Sequence, residues 1–202
     1  MKLRGRVLLI GVLAIGLTGC SDEKIGQPTP ESSPTQSAAT TTTTTKFNAP
    51  PPVRPAVLKL DGIDPCATLT ADQRKQLKIA RSENDPLDVG KTGKPAPTCR
   101  NRATGEKIFS YNVSLVTDRG VDYWQGGGNL DVDQKEVAGF AAYQIKLTGT
   151  STGDCVITVD VADGQQLFVQ FLPISEGFTQ DQMCQNAKQG AEMALATLQT
   201  LK

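Results

Sequence analysis

Residues 155–171 read CVITVDVADGQQLFVQF, and their alternation decides the fold. Cys155, Ile157, Val159 and Val161 share one face of a strand, and Leu167, Val169 and Phe171 share one face of the next. Asp163-Gly164 supplies the turn between them. A plain two-residue turn would set Val159 opposite Phe168 and Val169 opposite Thr158, which splits the apolar face. Pairing Val159 with Val169 and Ile157 with Phe171 keeps it whole. That calls for a slightly longer, three-residue loop with Gly164 at positive φ.

Two further strands show the same period. Phe109, Tyr111, Val113 and Leu115 alternate with Ser110, Asn112 and Ser114, and Ala141, Tyr143, Ile145 and Leu147 share a face. Helices flank them. Thr70 with Gln73 forms a capping box, and Leu77 and Ala80 give the short helix that follows an apolar edge. Thr179 and Gln182 form a second box, with Phe178 placed to staple onto Met183. Met183, Ala187, Ala191, Ala194, Leu198 and Leu201 then recur at helical spacing, and Gly190 helps keep that face thin enough to approach a sheet closely. A helix lying on a lipid surface would carry a Lys/Arg-rich polar face and a larger apolar one, so this stripe reads as core. The expected fold is α+β: an antiparallel sheet of four or more strands, packed against the C-terminal helix and a short N-terminal helix.

The chain contains five cysteines. Cys66, Cys99, Cys155 and Cys184 lie in the domain, an even number that reads as two disulfides in an oxidising compartment. Of three pairings the sequential one is favoured, Cys66 with Cys99 and Cys155 with Cys184. Each bond then joins a helix start to a strand and closes a loop of about 30 residues. Zinc is the competing use, but no two of these cysteines have the close spacing of a zinc ligand pair.

The fifth cysteine has another role. Lys2, Arg4 and Arg6 precede an uncharged apolar run from Val7 to Leu17, too short to span a bilayer, and Leu17-Thr18-Gly19-Cys20 closes it. This is the pattern of a lipoprotein signal: residues 1–19 are removed and Cys20 takes a diacylglyceryl group on sulfur. Residues 20–56 follow as a Ser/Thr/Pro-rich tether, with a threonine run from Thr40 to Thr45 and prolines at 50, 51, 52 and 55. Its low apolar content does not offset the entropy of ordering it. Residues 57–202 make one domain of ordinary size.

Together these residues carry a resemblance. Asp64-Pro65-Cys66-Ala67-Thr68-Leu69-Thr70, Cys99, Gly139, Cys155 and Asp181-x-x-Cys184-x-x-Ala187 resemble the actinobacterial lipoprotein family known as domain of unknown function 3558. Where that family's second cysteine usually begins Cys-x-Trp, this chain has Cys99-Arg100-Asn101. The resemblance implies an exported, lipid-anchored protein of a Gram-positive envelope. It carries over no catalytic residues.

The chemistry that the residues permit is narrow. The chain has no histidine, which removes Ser-His-Asp and Cys-His catalysis and His-based zinc sites. Lys and Arg balance Asp and Glu at 21 each, and no basic run is interleaved with aromatics, so nucleic acid is not an expected partner. Gly126-Gly127-Gly128 lacks the lysine of a phosphate loop. Asp131-x-Asp133-x-Lys135 places a lysine where a calcium loop needs oxygen. Asp118, Asp122 and Glu136 add further carboxylates, of the kind usually just solvated. No metal and no cofactor is expected.

The segment from Val121 to Leu130 has two readings. Tyr123 and Trp124 beside three glycines could offer a binding surface to a glycan, lipid or protein. Alternatively Trp124 closes one end of the core and the glycines turn the chain. The expected function is a membrane-anchored, non-catalytic binding or interaction module of the cell envelope. A carrier of a lipid or other apolar ligand, and an enzyme of unfamiliar kind, are the alternatives.

Overall fold

The computed structural model describes residues 52–148 and 153–201. In chain order its elements are α1 (Ala71–Gln76), β1 (Ile79–Asn84), β2 (Thr98–Ala103), β3 (Phe109–Val116), β4 (Leu130–Val137), β5 (Phe140–Leu147), β6 (Cys155–Ala162), β7 (Gln165–Pro173) and α2 (Gln180–Leu198). Short 3-10 turns occupy Pro65–Thr68 and Val121–Trp124. The strands form a single seven-stranded sheet in the order β1-β2-β3-β7-β6-β5-β4, antiparallel throughout.

The 155–171 hairpin holds the centre of this sheet, with a register that differs from the expected one. Cys155 faces Phe171, Ile157 faces Val169 and Val159 faces Leu167, two residues away from the expected pairs. An irregularity between Asp160 and Ala162 absorbs one residue next to the turn, where Gly164 sits at φ 67°. That one-residue shift restores the parity that a plain two-residue turn would lose, so the apolar face stays whole.

The helix face of the sheet carries the larger core. Val113, Ile157, Val159, Leu167, Val169 and Phe171 meet Met183, Ala187, Ala191, Ala194 and Leu198 of α2. The small residues bring the helix close. A Cβ built on Gly190 would stand 2.9 Å from the Tyr111 ring, a distance that real contacts do not show. Leu201, expected on the stripe, lies beyond the helix and is exposed, because α2 stops at Leu198.

The first helix is shorter than its pattern suggested. Its capping box is present, but Lys78 at φ 58° turns the chain and Ala80 falls in β1 instead of on a helical edge. Its capping glutamine has a second role: Gln73 Nε2 donates to the Met193 carbonyl at 2.9 Å, and Gln73 Oε1 accepts from Thr197 Oγ1 at 2.8 Å. One side chain thus caps α1 and ties it to α2.

Both disulfides take the sequential pairing. Cys66–Cys99 joins the first 3-10 turn to β2, and Cys155–Cys184 joins the start of β6 to the first turns of α2. The chain entering the domain is held at the β6–β7 turn. Arg54 Nε lies 2.8 Å from Asp160 and its Nη2 lies 2.6 Å from Asp163, while Leu58 N donates to Val161 O at 2.8 Å. These carboxylates hold the Arg54 guanidinium above its usual pKa. Ordered contacts therefore begin before Val57.

Candidate functional site

The opposite sheet face is also covered, and the Tyr123-Trp124 segment does the covering. Tyr143 and Ile145 of β5, Val156 of β6 and Phe168 of β7 point away from α2 and meet Trp124, Val89 and Ala96 in a second core. Trp124 stacks on Phe168 with ring centroids 5.7 Å apart and is only 8% exposed. The indole therefore sits under the loop, and its pyrrole N–H donates to Gln166 Oε1 at 2.7 Å. Gln166 is fully buried. Its amide also donates to the Gly120 carbonyl at 2.9 Å and the Arg119 carbonyl at 3.2 Å, and it accepts from Thr158 Oγ1. A buried amide with its donors and acceptor all engaged fixes one geometry for the segment it holds.

Tyr123 is the open member of the pair, at 41% exposure. Its hydroxyl donates to the Gly90 carbonyl at 2.9 Å, its ring meets Trp124 edge-on at 5.0 Å, and the Arg119 guanidinium lies 5.1 Å from its centroid. Arg119 in turn pairs with Asp118 at 2.9 Å and donates to the Val89 carbonyl. The 85–97 loop is thereby bound to the 118–124 segment. Within that loop the Asp88 carboxylate accepts the backbone N–H groups of Thr92 and Gly93, both at 2.8 Å, and the Gly93 bond is the main cause holding its pKa below the usual range. Gly126 at φ 97° makes the bend expected after Trp124.

The remaining acidic candidates do not converge. Asp131 and Asp133 lie on β4, and Lys146 stands 3.4 Å from Asp131. Among the described residues no group of three or more Cys, Asp or Glu side chains is placed to hold a metal ion. Cys66, Cys99, Cys155 and Cys184 are all bonded to sulfur. Cys20 and residues 1–51 lie outside the described residues, as does the lipid attachment expected there. Among the described residues no helix is long and apolar enough to cross a membrane.

Sequence reasoning missed Gln166 as the residue that orders this segment. Its neighbours Leu167 and Val169 carry a strand pattern, and a glutamine on the alternate face reads as solvated. The missed covering of the second face has one visible sign, the alternation of Val156 and Phe168 with the helix-facing residues.

The family model described as "Protein of unknown function (DUF3558)" matches residues 15–197. No curated protein and no solved structure matches the chain. The chain belongs to the DUF3558 family.

Proposed function

We propose that this DUF3558 protein is an extracytoplasmic lipoprotein, anchored through Cys20, whose domain is a non-catalytic binding module of the cell envelope. Cysteine usage carries the reading. Of five cysteines, four are consumed by two disulfides, bonds that persist in oxidising compartments. The fifth is Cys20 in Leu17-Thr18-Gly19-Cys20, and the family match, beginning at residue 15, includes that segment. Two or three acyl chains on one N-terminal cysteine would give stable membrane attachment where a single chain would not. The Ser/Thr/Pro composition between Cys20 and Arg54 suits a spacer between membrane and domain.

A binding role is favoured because the chain has no histidine and because, among the described residues, no three Cys, Asp or Glu side chains converge as a metal site would need. At Gly190 the tight approach of α2 to the sheet leaves no room for an apolar cargo beneath that part of the helix. The test is palmitate labelling of the native and Cys20→Ala proteins in cells, followed by cross-linking on intact cells. The native protein should take label, sit in the membrane fraction and cross-link to a reproducible envelope component. Equal labelling of the two proteins, or recovery of the native protein in the cytosol, would overturn the reading.

A further inference from the structure

Between α1, the turn joining β2 to β3, and the N-terminal half of α2 lies a cavity of about 560 Å³. That is within the usual size of a small-molecule site and gives room for about one or two pyranose rings. Its apolar lining is Leu77, Phe109, Tyr111 and Phe178. These rings are held against one another, Phe109 meeting both Tyr111 and Phe178 edge-on, each at 5.8 Å.

Tyr111 is the informative residue. It is 98% buried by its 2% exposure, and Gly190 of α2 leaves its ring only just enough space. Its phenol makes no hydrogen bond to another described residue, and its oxygen is not one of the buried polar atoms sealed from solvent, so it opens into the cavity; burial of the ring raises its pKa above the usual tyrosine value. A phenylalanine would fill the same space with no donor left over, so the hydroxyl is available to something that enters the cavity.

The rim narrows the chemistry. Asn186 and Gln189 are three residues apart on α2 and so share its face, and Gln76 of α1 lies across from them. Each amide offers both a donor and an acceptor, as each sugar hydroxyl does. The charges are poorly suited to an anion. Lys107 donates to the Gly177 carbonyl at 3.0 Å and lies over the Phe178 ring, and an anion entering the cavity would meet the Glu106 carboxylate as well as Lys78 and Lys107 on the same rim. A fatty chain would use neither the rim amides nor the phenol.

We propose that this cavity binds a neutral saccharide, with the sugar's C–H face on the aromatic lining and its hydroxyls on Tyr111, Asn186 and Gln189. The inference names the ligand class of the binding module proposed above and rests on that reading. The test is calorimetric titration of the detergent-solubilised full-length protein with glucose, galactose, mannose, N-acetylglucosamine and their β-linked disaccharides. Palmitate and glucuronate serve as competitors of other classes. At least one neutral sugar should bind, and Tyr111→Phe should weaken it roughly tenfold, as loss of a buried hydrogen bond to a ligand does. The thermal midpoint of Tyr111→Phe should not fall, since its hydroxyl has no partner within the protein. Asn186→Ala with Gln189→Ala, on the solvent-facing rim, should weaken binding in the same way. No neutral sugar binding tighter than about 10 mM would overturn the inference. So would unchanged affinity in both variants, or binding of palmitate or glucuronate alone. If sugars fail while Cys20 labelling and envelope cross-linking hold, the module reading survives and this one falls.

Discussion

The indole N–H of Trp124 donates to Oε1 of Gln166 at 2.7 Å, and both residues are buried on the sheet face that α2 does not cover. This bond joins the segment after β3 to the central strand β7. Gln166→Ala would strand the indole N–H, the Thr158 hydroxyl and the carbonyls of Arg119 and Gly120 without their partner. The expected loss is about 2–4 kcal/mol. Urea unfolding followed by Trp124 fluorescence measures it. The folded-state emission should also shift to the red, because the indole loses the contact that holds it under the loop.

A second prediction concerns Gly90. It sits at φ 77°, and a Cβ there would come within 2.6 Å of the Tyr123 ring. Both facts oppose any side chain, so Gly90→Ala should displace Tyr123 and cost about 1–3 kcal/mol. Tyr123→Phe removes only the bond to the Gly90 carbonyl and should cost no more than about 1.5 kcal/mol. Hydrogen exchange should localise the Gly90→Ala effect to the 85–97 loop and the 118–124 segment.

The Cys155–Cys184 bond pins the beginning of α2 to the beginning of β6. Replacing both cysteines by alanine should cost roughly 2–5 kcal/mol. The corresponding Cys66–Cys99 replacement should loosen the α1 and β1 end while leaving the β6–β7 hairpin protected. Exchange rates of the two variants separate these effects.

Alkaline pH should destabilise the domain through Tyr111. Burial raises its pKa above the ordinary 10.0, so the folded state keeps the proton that the unfolded chain releases. Stability is fully present below pH 10 and declines as pH rises from there towards the folded value. Tyr143, raised by burial and by Asp160, adds to the same slope. Tyr111→Phe should flatten the decline in midpoint between about pH 9.5 and 11.5, and an unchanged slope would remove Tyr111 from it.

Much of the helix-facing half of the fold could be read from alternation and cysteine parity. Cys155 to Phe171 keeps its period of two because one face is wholly apolar, and the even number of cysteines in the domain left few pairings. The register was harder, since the irregularity between Asp160 and Ala162 moves it without changing which residues are apolar. Strands β1 and β4 were not legible because they are the sheet edges, where Arg81, Glu83, Asp131 and Lys135 replace an apolar face. Charges there discourage pairing with another chain and at the same time erase the strand signal. Trp124 could be placed on either side of its loop from sequence alone, because burial depends on Phe168 and Gln166, more than forty residues away in the chain. Tyr111 read as an ordinary strand residue. Its spare hydroxyl depends on what packs around it and has no counterpart in local sequence.

The anchored, oxidised state is tested most directly by intact mass of the native protein extracted from membranes, before and after thiol alkylation without reductant. The expected species begins at Cys20, carries diacylglyceryl on that residue, and takes up no alkylating reagent because two disulfides occupy the remaining four cysteines. A polypeptide that retains residues 1–19, or one that begins at an unmodified Cys20 and alkylates at Cys66, Cys99, Cys155 or Cys184, would contradict it.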